Sequence, residues 1–229
     1  MDIIQQLRKE TNKELPLTDR IYEELLRDIL TGQLARDSWL TETKVCSMYG
    51  ASRTPVREAF RRLEMDGLLE YIPKRGEYVR GFSYDELIDM LNIRADLEVR
   101  AVSWSIERIT DDEMEQFDDI FRYMEFYTKK NDIHMMMYAN SAFHRHIYKT
   151  SHDRMLNKTL TTYFNYCKYS CPPNYFAPKF LDKTLEERRR VYSAYLKKDV
   201  TSGARAMKLH MSSTIKRAIA NINPNIYEK

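Results

Sequence analysis

From Ser83 to Ile222 apolar residues recur at helical spacing, and no strand signal interrupts them. Such a run can bury its apolar stripes only helix against helix, so this part of the chain reads as an all-α bundle. The 229 residues include only 6 Gly and 7 Pro, which also favours long helices over a turn-rich β fold. The spacing predicts helices over 83–107, 110–129, 132–150, 152–171, 180–197 and 199–222, with CPPNYFAPK as the one conspicuous loop. Ser83 with Glu86, and Thr110 with Glu113, match the reciprocal capping box that starts a helix.

The first third of the chain is patterned differently. Residues 18–31 place Ile21, Leu25 and Ile29 on one helical face, and Gly32 stops them. A short helix follows over 41–48, then the turn Tyr49-Gly50, then a third helix over 52–66. Ser52 suits the N-cap, and Pro55 falls in the first turn, where its missing N–H costs nothing. After Gly67 the period changes: LLEYIPKRGEYVRG reads as two short strands joined at Lys74-Arg75-Gly76. Three helices and a hairpin make a winged helix-turn-helix. The expected fold is therefore mostly α: an arm over 1–16, a winged helix-turn-helix over 17–80, and an all-helical domain over 81–229.

Hydrophobic residues make up 43% of the chain and charged ones 31%, the balance of a soluble globular protein. No apolar run approaches the roughly 18 residues of a membrane span, and the N-terminus lacks a secretory apolar core. Three cysteines suit reduced thiols in the cytoplasm; Cys167 and Cys171, four apart, read as small apolar side chains. The net charge is only +3, so its distribution matters more than its sum. Residues 43–62 carry Lys44, Arg53, Arg57, Arg61 and Arg62 against Glu58 alone, a local +4 from five positive and one negative charge. The last helix of a helix-turn-helix enters the major groove N-terminus first, which puts Ser52, Arg53, Thr54 and Arg57 in the lead. Arginine can grip guanine O6 and N7 in a bidentate contact worth about 1–3 kcal/mol of base discrimination. Arg75, at the hairpin tip, can reach the adjacent backbone or minor groove, whereas Arg61 and Arg62 read as a solvated face.

In the helical region, polar residues stand where apolar ones are due. Arg94 lies on the stripe of Leu87, Met90, Leu91, Leu97, Ala101 and Trp104. Asn140 and His144 share a face with Met136, Phe143 and Ile147, Arg188 with Leu181, Leu185, Tyr192 and Tyr195, and His210 with Met207 and Met211. Unpaired buried charges are costly, and no carboxylate falls at comparable positions on these stripes. The pattern predicts a cationic cavity that takes an anion from outside.

The run SRTPVREAFRRLEMDGLLEYIPKRGEYV, from Ser52 to Val79, resembles the signature of GntR-type transcriptional regulators. That resemblance implies DNA contacts at Ser52, Arg53, Thr54, Arg57, Arg75 and Gly76, with Thr43 and Lys44 as candidates for a phosphate contact. One departure is Ala35-Arg36-Asp37, where the family usually has a Pro-Gly turn. RADLEVRAV, NSAFHRHIY and AMKLHM resemble helices of the FCD effector domain that one branch of these regulators carries. Many such domains hold a divalent metal, Zn or Ni, on an Asp and three His, and the metal binds a carboxylate effector. Mapped onto this chain, His144 and His210 are the first and last histidines, Asn140 replaces the aspartate, and Arg188 the middle histidine. Arginine offers no lone pair, but it can hold a carboxylate bidentately itself. The expectation is a homodimeric, cytoplasmic regulator that binds double-stranded DNA. A small carboxylate would sit on Arg94, Asn140, His144, Arg188 and His210. The rival readings are a constitutive DNA-binding dimer and a helical metal-dependent enzyme built on His144 and His210. The tyrosine-rich stretch Tyr163–Tyr175 has no assigned role.

Overall fold

A computed structural model describes residues 16–170, 181–222 and 226–227. Most of the expected arm, the loop CPPNYFAPK, Cys171 and the far end of the tyrosine-rich stretch lie outside these residues. The chain resolves into two compact units. One ends at Ile88 and takes in Ile226 and Tyr227; the other runs from Asp89 to Ile222.

The first unit contains α1 (Leu17–Leu30), β1 (Trp39–Leu40), α2 (Glu42–Tyr49), α3 (Arg53–Met65), β2 (Leu69–Ile72) and β3 (Gly76–Val79). Gly50 closes α2 in the left-handed conformation, φ 58°, and this makes the turn before α3. Ile21, Leu25, Val45, Val56, Phe60, Leu63 and Val79 form its buried interior. Polar clamps add to it: the Arg62 guanidinium lies 4.0 Å over the Tyr22 ring and donates to Asp19 at 2.5 Å. The Tyr22 hydroxyl donates to Asp66 at 2.6 Å, so Arg62 fastens α3 to α1 rather than facing solvent freely.

The three strands are antiparallel in the order β1-β3-β2. Sequence reading found the β2–β3 hairpin but missed β1, because two residues are too few to show a period. Asp37, at the departure from Pro-Gly, adopts φ 64°, the left-handed geometry a glycine would supply, and its carboxylate accepts a hydrogen bond from the Tyr78 hydroxyl. The chain end was expected to belong with the helical domain. Instead Tyr227 is buried and donates to the Leu30 carbonyl at 2.8 Å.

Helix α4 (Tyr84–Arg108) starts in the first unit, and α5 (Asp111–Lys129), α6 (Ile133–Thr150), α7 (Arg154–Ser170), α8 (Leu181–Leu196) and α9 (Val200–Asn221) follow. Both expected capping boxes form, and Asp132 and Asp199 cap α6 and α9. Ser52 holds the N-cap position of α3 without a side-chain cap hydrogen bond. The second unit is packed around Phe117, whose ring meets Phe143 at 4.9 Å and Tyr195 at 4.7 Å. Met124, Ile147, Val191, Met207 and Met211 extend that core. On α9, a Cβ at Gly203 would stand 2.3 Å from Ile106 Cδ1, so α9 approaches α4 closely only because this residue has none. Among the described residues, no helix is long and apolar enough to cross a membrane.

The inward face of α4 differs from the expected stripe. Leu97 and Trp104 are only half-buried, and the buried line runs Leu87, Leu91, Arg94, Glu98, Ala101, Ser105. Glu98 is 0% exposed.

Candidate nucleic-acid interface and buried polar site

Ser52, Arg53, Thr54 and Arg57 are all exposed at the start of α3, as are Thr43 and Lys44 in the first turn of α2. An N-terminal helix turn presents unpaired backbone N–H groups and a partial positive charge, both suited to phosphate oxygens. Arg57 is not a loose side chain: its Nε donates to Glu42 Oε1 on α2 at 2.6 Å. That bond holds the Glu42 carboxyl below its usual range. It occupies the Nε edge of the guanidinium. Sequence reading missed Glu42, whose pairing with a residue 15 positions on has no local signal.

At the wing, Arg75 is exposed, its guanidinium 5.6 Å from the Trp39 ring, and Trp39 packs on Tyr78 at 5.2 Å. Gly76 has a task within the sheet. Its φ is +100°, and a Cβ would stand 2.5 Å from the Leu40 carbonyl oxygen, so only glycine lets β3 pair with β1 here.

In the helical unit, Arg94, Asn140, His144, Arg188 and His210 are each 5% exposed or less. They are knitted together by two carboxylates, which overturns the expectation that no acid shares their faces. Glu98, one turn after Arg94, accepts from Arg94 Nη2 at 2.9 Å and Nε at 3.2 Å. Its other oxygen, Oε2, meets His144 Nδ1 at 3.1 Å, and the Tyr148 hydroxyl donates to Oε1 alongside Arg94. Burial opposes this carboxylate's charge, but His144 and Arg94 outweigh it and hold the group well below the usual range. Glu187 does the same on the other side. It accepts from Arg217 Nη1 and Nη2, each at 3.0 Å, and meets His210 Nδ1 at 2.9 Å.

The two imidazoles lie 5.5 Å apart, centroid to centroid. Burial depresses both, and the Arg188 charge adds to the effect, pushing His210 down to about 3. Both are neutral near pH 7. Arg188 donates from Nε to Asn140 Oδ1 at 2.6 Å and from Nη1 to the Thr184 carbonyl at 3.0 Å. Glu187 Oε2 lies 4.0 Å from Arg188 Nη1. Arg94 pairs with Glu98 and also lies 4.9 Å over the Phe164 ring.

A model of the gntR family of bacterial regulatory proteins matches residues 17–79. An FCD domain model matches residues 89–213, more than half of the chain. The chain belongs to the GntR family, in its FCD branch. This GntR regulator is 26% identical over 206 residues to the HTH-type transcriptional regulator YdhC of Bacillus subtilis (strain 168), covering 88% of this chain and 90% of that one. To the HTH-type transcriptional repressor RspR of Escherichia coli (strain K12) it is 25% identical over 203 residues, 87% of this chain and 88% of that one. Among solved structures, E. coli McbR/YncC shares the fold with a TM-score of 0.71 at 22% identity, over 90% of this chain and 98% of that one.

The metal that the FCD resemblance implies does not fit the donor set of this GntR regulator. His144 and His210 are dressed as ligands often are, each with Nδ1 on a carboxylate. The other two positions are spent on each other: the Asn140 carbonyl oxygen accepts from Arg188, and a guanidinium has no lone pair to give. Among the described residues, no group of three or more His, Cys, Asp or Glu is placed to hold an ion.

Proposed function

We propose that this GntR regulator acts in the cytoplasm as a homodimer on a pseudo-palindromic operator, and that its FCD domain senses a small organic anion. The exposed Ser52, Arg53, Thr54 and Arg57 would enter the major groove, with Arg75 on the flanking backbone and Thr43 and Lys44 on phosphates. Two-fold symmetry matches half-sites one or more helical turns apart. Repression, the role that RspR's name states, is the simplest mode: the anion would loosen the grip on the operator. A coupling of about 1–3 kcal/mol changes occupancy several-fold to a hundredfold.

The observation that carries the sensing half is Arg188. It is 2% exposed, lies beside Asn140, His144 and His210, donates to Asn140 Oδ1 and to the Thr184 carbonyl, and pairs with Glu187 at 4.0 Å. An anion there would gain a bidentate guanidinium contact, with Asn140, His144 and His210 at its flanks. The pairing of Arg94 with Glu98 and of Arg217 with Glu187 favours a second reading, in which the cluster is purely structural and DNA binding is constitutive.

Fluorescence anisotropy on a labelled fragment of the gene's own upstream region tests both halves. Arg53→Ala is expected to weaken binding at least tenfold in low salt, and titrated carboxylates to shift the midpoint with or without EDTA. Undiminished binding by Arg53→Ala would sink the DNA assignment. Binding indifferent to every anion tried would leave the constitutive reading.

A further inference from the structure

A buried acid stands in the DNA-binding unit with no cation to balance it. Glu77, on the central strand β3, is 6% exposed, and its Oε2 has no hydrogen-bond partner among the described residues. Glu77 and Val79 are the two buried positions of that strand, where apolar side chains are the ordinary occupants. The sheet offers Glu77 only Leu40 of β1 and Tyr71 of β2 as register neighbours. The charged groups that bear on it come from the helices: Glu64 of α3, within hydrogen-bond reach, and Glu42 of α2. Both are acids. Glu42 has its own cation, Arg57 at 2.6 Å, and Arg53 bears on it too. No lysine or arginine among the described residues does as much for Glu77.

Burial, with Glu64 and Glu42 beside it, raises the Glu77 carboxyl to about 7. The five histidines, His134, His144, His146, His152 and His210, all belong to the other unit. The DNA-binding unit therefore answers to protons near neutrality through this carboxyl rather than through an imidazole. Glu77 directly follows Gly76 and stands two residues from Arg75 at the hairpin tip. A duplex seated on Arg53, Arg57 and Arg75 would bring phosphate charge toward it, and nearby negative charge favours the protonated acid. Such linkage is reciprocal, so the proton in turn favours the duplex. Ionisation also leaves an unpaired charge beneath the strand that carries the wing, which weakens its packing.

We propose that Glu77 is a proton switch in the DNA-binding unit: protonated, it lets α3 and the wing grip the operator tightly, and ionised, it weakens that grip. The device rests on the DNA-binding reading above and is independent of anion sensing in the helical unit. Because the carboxyl titrates near 7, DNA affinity is highest below that pH and falls as pH rises through it. Phosphates that raise the carboxyl by about half to one further pH unit make affinity fall about three- to fivefold per head between pH 6 and 8, and about six- to twenty-fivefold for two heads.

Fluorescence anisotropy of the full-length protein on the labelled upstream fragment tests this between pH 6 and 8, at constant ionic strength and without added effector. Intrinsic fluorescence at each pH confirms that both units are folded. The parent should lose at least about fivefold in affinity over that range. Glu77→Gln, similar in shape but unable to ionise, should lose less than about twofold and bind more tightly than the parent at pH 8. Glu64→Gln removes the neighbouring charge and leaves Glu77 in place, so it should move the fall to lower pH; this second variant keeps the test available should Glu77→Gln not fold. An unchanged pH dependence in folded Glu77→Gln, a fall at the same pH in Glu64→Gln, or a parent affinity that is flat or rises with pH would overturn the switch and leave the DNA reading intact. No binding by the parent at any of these pH values, even in low salt, would remove the DNA reading itself.

Discussion

Glu98→Gln removes one charge and almost no volume from the middle of the helical unit. In the native protein this carboxylate is 0% exposed and accepts from Arg94, Tyr148 and His144. The glutamine can still accept from Arg94 and Tyr148 through its carbonyl oxygen. Its amide must then face His144 Nδ1, which can accept only by switching tautomer. The Arg94 guanidinium, 5% exposed, is left with no ionised partner. Breaking a buried pair by removing one member costs about 3–5 kcal/mol, a large share of the roughly 5–15 kcal/mol that holds a typical domain folded. The assay must isolate this unit, since two units need not unfold together. The chain has 2 Trp, Trp39 in the first unit and Trp104 in the second; in a Trp39→Phe background, Trp104 fluorescence follows the helical unit alone. Urea titrations should place Glu98→Gln about 3–5 kcal/mol below its parent at pH 7. The folded-state pKa of Glu98 is depressed, so its contribution is present above the unfolded value and is lost as pH falls below it. The gap between parent and variant should therefore close on acidification below about pH 4.5. Adding Arg94→Met should recover much of the loss, because the stranded cation is then gone. A gap under 1 kcal/mol at pH 7, or one that widens in acid, would refute the ion-pair account.

Other consequences can be read in the first unit through Trp39 fluorescence. Glu77 is 6% exposed, with Oε2 lacking a hydrogen-bond partner among the described residues, and burial, aided by Glu64 and Glu42, pushes its carboxyl up to about 7. The folded state holds this proton more tightly than the unfolded one. Wild-type stability should then fall between about pH 4.5 and 7, and Glu77→Gln should be more stable by up to about 3 kcal/mol at pH 8; a flat difference across that range would contradict it. Gly76→Ala must move either β1 or β3, given the 2.5 Å clash with Leu40 and the strained φ, and should cost at least about 2 kcal/mol in a urea midpoint; a smaller loss would mean the wing strands are not paired in this register. Tyr227→Phe should cost about 1 kcal/mol through the lost bond to Leu30, and no change would mean that the chain end is undocked in solution.

The elements legible in the sequence were those with a repeated local signal. Capping boxes at Ser83 and Thr110, the Gly67 stop and the switch to period two around Lys74-Arg75-Gly76 mark boundaries by chemistry between near neighbours. Strand β1 left no such trace, since a two-residue strand takes its identity from pairing with β3. The polar residues of the helical unit were recognisable singly as oddities on apolar faces, but their electrostatics were misjudged. Glu98 follows Arg94 by one turn and Ala101 follows it by three residues, so a strict i, i+4, i+7 count from Arg94 passes through it. Weighting apolarity over spacing picked Leu97 instead. Arg217 lies two turns beyond His210 on α9, and only the tertiary pairing with Glu187 on α8 makes it part of the site.

If the helical unit senses an anion as proposed, the guanidinium at position 188 changes how it would hold one. A metal-based site takes its charge from an exchangeable ion, so its affinity for a carboxylate depends on metal supply and on the protonation of its ligands. A guanidinium is charged at every relevant pH and cannot dissociate. Both neighbouring imidazoles are held neutral near pH 7, and both carboxylates are held well below the usual range. On the proposed reading, a site built on a guanidinium would answer to the concentration of an anion rather than to metal supply. In a two-state DNA-binding protein such a site would couple operator occupancy to that concentration.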